Sequence, residues 1–282
     1  MQKNLNKQIA YSIVLYLILV ISYPFIVQFI HYVLIDILGW SLRFGETHRA
    51  PYLFIMSSLR FILSVIAIVL FGYIIRINGF KYSFRTKGFK KALTAMIPIF
   101  LITMHHITLF FNISEFNMQY AHYIPYILLF EFATGIWEEV VFRAIPLTVL
   151  LYYGGNSAKG RMFLALLSSL IFGFLHYPAG PDAILFASFM GISFAAVYIY
   201  SKNLLGCMIH HALWNIGSQI THGLTTNVYN ETLNSALHFS INIIWAILMP
   251  IFAIILIVKS KPFSEKTLNL DDLDAENVIP KY

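Results

Sequence analysis

YIPYILLFEFATGIWEEVVFRAIPLTVLLYY, residues 123–153, decides what kind of protein this is. A helix that spans a bilayer needs roughly 20 mostly apolar residues, and this stretch is longer than that. It also contains Glu131, Glu138, Glu139 and Arg143. Ionisable groups in lipid are costly and by default mark function, so one segment sets both the expected fold and the place to look for chemistry.

The rest of the chain agrees with a membrane setting. Of its 282 residues, 59% are hydrophobic and only 11% are charged, against about 25% charged in soluble domains. The mean hydropathy is +0.72. Too few charges remain to wet a soluble surface, which excludes a soluble globule, a disordered chain and a fibrous repeat. The single cysteine, Cys207, excludes an internal disulfide and a thiolate-rich zinc site. Its best reading is a dry structural thiol. The net charge of +6 comes without a basic face interleaved with aromatics, so no nucleic acid is expected as a partner.

Eight apolar runs are expected to span, at 9–35, 53–75, 92–113, 123–153, 162–177, 182–200, 204–222 and 237–258. Turn chemistry separates them, as in Asn78-Gly79, Gly154-Gly155-Asn156 and Pro178-Ala179-Gly180-Pro181. The runs are too long for barrel strands. With the N-terminus inside, 15 of the 19 lysines and arginines fall on inner segments, and only Arg43 and Arg49 on outer loops. That split is what the positive-inside rule asks for. The expected fold is therefore all-α: a polytopic transmembrane helical bundle of about eight spans over residues 1–258, with both termini cytoplasmic. Residues 259–282 form an acidic cytoplasmic tail. The first run exceeds the apolar core of a signal peptide and is read as an uncleaved span in a multi-pass cell-membrane protein. Abundant Lys, Ile, Asn and Phe suit a bacterial source. The basic loop 76–91 is expected to fix orientation.

Within residues 123–153, Glu139 and Arg143 stand at i and i+4 and pair on one face. Glu138 lies about 100° around the helix. It is expected to point elsewhere, as a buried carboxylate without its own cation. Glu131, on nearly the same stripe, is expected to be structural. Imidazoles follow on later spans: His176 ends the fifth, and His211 shares a face with Asn215 on the seventh, with His210 turned away. His31, His105 and His106 are read as hydrogen-bonded core histidines.

Glu138 and His176 around one water molecule would make it nucleophilic. His211 and Asn215 would offer N–H donors to the oxyanion that forms when water adds to a carbonyl. The set fits amide hydrolysis through a tetrahedral intermediate. A metal version stays open, with Glu138, His176 and His211 as a His₂Glu set for a divalent ion such as zinc, although H-E-x-x-H is absent. By simple counting, His176 and His211 differ in depth by roughly 10–15 Å, so a tilt, a break or a recessed helix start is expected.

Glu138-Glu139…Arg143, Phe172…His176 and His211…Asn215, in that order and each on an apolar run, resemble the motifs E-E-x-x-x-R, F-x-x-x-H and H-x-x-x-N/D of the CPBP family. This is the CAAX protease and bacteriocin-processing group also called Abi. The likeness covers about residues 123–222. It implies an intramembrane endopeptidase acting on a membrane-associated or lipidated peptide or protein, with the bilayer as its surroundings. It assigns water activation to Glu138 and His176, oxyanion stabilisation to His211 and Asn215, and supporting positions to Glu139 and Arg143. Some members of the family are regulators, immunity factors or scaffolds without proteolysis, and acyl transfer to an amine would need similar groups.

Overall fold

Each of the eight apolar runs is helical over most of its described residues. The computed structural model describes residues 2–40, 47–78, 88–103, 114–116, 118–154, 157–223, 225–227 and 231–263. His105, His106, most of the basic loop and the acidic tail lie outside the described residues. In chain order the helices are α1 (Gln2–Tyr32), α2 (Arg49–Ile77), α3 (Phe89–Thr103), α4 (Ile124–Glu139), α5 (Ile145–Gly154), α6 (Ala158–Phe174), α7 (Pro181–Ser201), α8 (Leu205–Gly223) and α9 (Glu231–Lys259). Among the described residues, three stretches, Lys7–Ile37, Arg49–Ile77 and Pro181–Ser201, are long and apolar enough to cross a membrane. Large apolar side chains such as Phe25, Phe29, Val69 and Val258 face outward, a surface that suits lipid and would be costly in water.

Two features depart from the all-helical reading. Ser114–Phe116 (β1) pairs antiparallel with Thr225–Asn227 (β2), with Glu115 opposite Thr226. Three-residue strands are too short to carry the period-2 pattern by which strands are recognised. The other departure lies in the fourth run, which was expected to be continuous. It is broken by a π-helical turn, Val140–Ala144, between α4 and α5. The Ile145 N–H reaches back to Val140 O in the wider register. Pro146 has no N–H for Phe142 O, four residues earlier, and the Ser168 hydroxyl of α6 donates to that carbonyl instead. Turns of this type are frequent at functional sites.

Helix α7 is central, with every residue from Met190 to Ile199 buried. It forms an antiparallel hairpin with α6 through the turn Tyr177–Ala179 and also packs on α9 and α3. Pro181 opens α7, where a missing N–H costs nothing. Gly180, at φ +98, makes the preceding backbone turn that L side chains rarely adopt. Ser157 caps α6 by accepting from the Gly160 N–H at 3.0 Å. Helix α4 lies between α2 and α8, with α1 against α2. His31 is the satisfied core histidine expected, its Nδ1 2.9 Å from the Tyr52 hydroxyl.

Candidate active site

The contact between α4 and α8 is made at Gly135. A Cβ there would stand 3.0 Å from Ala212 N and 3.1 Å from Met208 O. Both are backbone atoms and cannot swing aside, so a hydrogen at this position lets the two helices close. One turn to either side of this contact lie the polar pairs. Toward the end of α4, Glu138 and Glu139 meet His211; toward its start, Glu131 lies within hydrogen-bonding influence of the Asn215 side chain. Gly135→Val is expected to force the helices apart and lower stability by about 1–3 kcal/mol, as overpacked cores do. Thermal unfolding in detergent reads this directly.

The two carboxylates straddle one imidazole. His211 Nδ1 lies 2.8 Å from Glu139 Oε1, and Nε2 lies 3.2 Å from Glu138 Oε2. An ionised carboxylate only accepts, so the arrangement is satisfied when the ring donates from both nitrogens as an imidazolium. Arg143 Nη1 stands 3.1 Å from the same Glu139 Oε1, the i, i+4 pair that the spacing predicts. Glu138, Glu139, Arg143 and His211 then sum to zero charge. The expectation of a carboxylate without a cation is thus corrected: its partner is His211, supplied by another helix. A 100° step on one helix separates the two glutamates, but a flat ring with a nitrogen at each side reaches both.

Glu139 and Arg143 are fully buried, whereas the Glu138 side chain is 19% exposed. Arg143 is held between ring faces, its Cζ 4.1 Å from the centroid of Phe172 and 5.7 Å from that of Phe194. Arginine over an aromatic face is attracted by the ring quadrupole. Gly191 of α7 makes the room, since a Cβ there would lie 3.3 Å from Arg143 Nη2.

His176 sits just past the end of α6. Its Nδ1 is 2.9 Å from Phe172 O. A carbonyl only accepts, so Nδ1 carries the hydrogen and Nε2 keeps a lone pair when the ring is neutral. The side chain thereby folds back over the last turn, and Phe172 fills the interval between the histidines, its centroid 4.7 Å from His176 and 6.0 Å from His211. Phe172 thus contacts both imidazoles, which counting along separate helices places at different depths.

Glu138 and His176 line one cavity of about 220 Å³, together with Val20, Tyr23, Pro24, Trp137, Val141, Phe142, Phe172 and Leu175. His211 and Asn215 stand behind Glu138 and beside Glu131 and are not among its lining residues. Among the described residues, no three His, Cys, Asp or Glu side chains stand together as a ready metal-binding group. His210 is turned away as expected, buried edge-on between Phe100 and Phe194. Cys207 is likewise fully buried, its Sγ 3.7 Å from Phe194 O.

Two neighbours of the site lie on early helices. Arg60 of α2 donates to Thr134 Oγ1 at 2.6 Å and lies 4.0 Å over Phe130. Its charge acts on both Glu131 and Glu138. As an arginine inside an apolar run, it carried the same signal as Arg143. Tyr23 of α1 stacks on Trp137 at 3.9 Å. A tyrosine in an apolar run carries no such signal.

No curated protein and no solved structure matches the chain. Residues 120–217, which hold α4 through most of α8 and all three motifs, match the family model described as type II CAAX prenyl endopeptidase Rce1-like. That segment, about a third of the chain, is similar to the CAAX protease family, in agreement with the three motifs.

Proposed function

We propose that the protein is an intramembrane endopeptidase that hydrolyses a peptide bond of a membrane-associated or lipidated peptide, using water activated by Glu138 and His176. The observation that carries this reading is the shared cavity: an acceptor carboxylate and an imidazole with a free Nε2 lone pair line one cavity with mostly apolar walls. Glu138 takes a proton from water while the water oxygen bonds to the carbonyl carbon. The carbonyl electron pair moves to its oxygen. When the tetrahedral adduct collapses, the C–N bond breaks and the departing nitrogen takes that proton.

His211 has a part in the same step. Its Nε2–H is shared with Glu138 at rest. Once Glu138 becomes a neutral acid it accepts more weakly, and the N–H is released toward the new oxyanion. Asn215, held beside Glu131, completes the donor set that the family resemblance implies. Glu139 and Arg143 hold His211 in place. We read the step as one these side chains carry out directly on water, without a resident metal. We further propose that all eight helical runs cross the bilayer, with both termini cytoplasmic, in a multi-pass cell-membrane protein.

The test is terminomics of membranes from cells expressing wild type or His176→Ala at equal abundance. A defined set of new peptide termini is expected with wild type and is absent with the variant. Identical sets remove the proposal. In purified protein, cleavage of the peptides so identified is expected to continue unchanged in excess chelator. Loss of activity that zinc restores would replace the metal-free mechanism.

A further inference from the structure

Counting donors and acceptors around the cavity exposes a gap in the site. Its polar lining residues are Tyr23, Trp137, Glu138 and His176. An ionised Glu138 can only accept. His176 spends its one hydrogen on Phe172 O and presents an acceptor. Both groups are suited to the hydrogens of a water molecule and neither to an oxygen that gains negative charge. His211 and Asn215 supply donors from behind, and both are engaged with carboxylates. That leaves the phenol O–H and the indole N–H as the donors on the cavity wall. Trp137 is almost wholly buried, lying flat against Tyr23 with an interplanar angle of 14°. Tyr23 is only half-buried, and its hydroxyl is close enough to Glu138, Glu131 and Arg60 to feel their charges.

We infer that the Tyr23 hydroxyl is a further catalytic group, donating a hydrogen bond to the carbonyl oxygen of the scissile bond as that oxygen becomes negative. The inference rests on the hydrolytic reading given under the proposed function. Tyr23 keeps its proton throughout: the water proton passes to Glu138, and the oxyanion only accepts from the phenol. The stack on Trp137, whose neighbour in sequence is Glu138, fixes the ring before substrate arrives. A donor that needs no reorientation stabilises the transition state most. Helix α1, outside the segment that matches the family, thus contributes to the chemistry.

The experiment compares wild type, Tyr23→Phe, Tyr23→His and Glu138→Gln as purified full-length protein. Two substrates are used: a quenched fluorescent peptide ending in a farnesylated CAAX sequence, and a peptide identified by terminomics. Rates are taken per folded enzyme in the monodisperse fraction. Phenylalanine keeps the stack and removes only the hydroxyl. Tyr23→Phe is expected to lower kcat by about 10²–10³, the cost of losing one oxyanion donor, with KM within twofold of wild type. Tyr23→His, a flat ring with an N–H, is expected to recover at least tenfold of that loss. If Glu138→Gln is inactive while Tyr23→Phe retains kcat within threefold of wild type, the inference is overturned and the hydrolytic reading stands. Equal rates for the Phe and His variants, or a rise in KM alone, also overturn it, as does loss of folded Tyr23→Phe, which would assign the hydroxyl to the fold. Activity in Glu138→Gln itself would bring down the underlying reading instead.

Discussion

Glu138→Gln leaves a folded protein whose cleavage rate falls by at least about 10³, toward the upper end of what a positioned general base contributes. Glutamine has the shape of glutamate and still offers an oxygen to His211 Nε2, so the contact that holds α8 to α4 survives. What disappears is the ability to take a proton from water. The loss therefore falls on kcat, while abundance and thermal unfolding stay near wild type. The charge balance points the same way. Glutamine removes one negative charge from a neutral set of four; His211 can restore neutrality by losing its Nε2 proton, and the glutamine then turns its amide N–H to that nitrogen and keeps the contact. Turnover of the terminomics-derived peptide, measured beside unfolding in detergent, separates the two roles. Wild-type turnover in Glu138→Gln would show that the carboxylate only binds His211 and that the water is activated elsewhere.

What sequence reading resolved and what it missed divide along helix boundaries. Spacing along one helix is set by 100° per residue, which is why the Glu139–Arg143 pair is readable from its i, i+4 positions and is found at 3.1 Å. The apolar runs are readable because lipid demands length and hydropathy. The match of residues 120–217 to a protease family model agrees with the three short motifs. Contacts between helices carry no fixed spacing. That both glutamates address one imidazole depends on how closely α4 and α8 approach, which Gly135 decides without any signature in the pattern around it. The π turn depends on Pro146 having no N–H for Phe142 O and on a hydroxyl from another helix, Ser168, donating to that carbonyl instead. Proline inside an apolar run signals a break but not its kind. Tyr23 was out of reach for a third reason: a phenol is at home in an apolar helix, and only the fold brings it against Trp137 and into the cavity wall beside Glu138.

Removing either partner of the Glu139–Arg143 pair is expected to destabilise the fold by about 3–5 kcal/mol, the penalty for leaving one buried charge uncompensated. Arg143→Met retains much of the volume against Phe172 and Phe194 but leaves two carboxylates sharing one imidazolium, with Glu139 itself out of reach of solvent. Glu139→Gln keeps an oxygen for Arg143 Nη1 and His211 Nδ1 but removes the negative charge, leaving a buried guanidinium without its counter-ion. The double variant Glu139→Gln with Arg143→Met removes a balanced pair, and Glu138 with His211 remains neutral. It is expected to be more stable than either single variant, so that the double-mutant cycle returns a coupling of at least about 2 kcal/mol between the two sites. Thermal or denaturant unfolding of all four proteins in one detergent measures this. Purely additive effects would mean that Arg143 is held by its aromatic neighbours alone. The pair would then not be what fixes His211, and the support assigned here to the motif's second glutamate and its arginine would have to pass to the packing of Phe172 and Phe194.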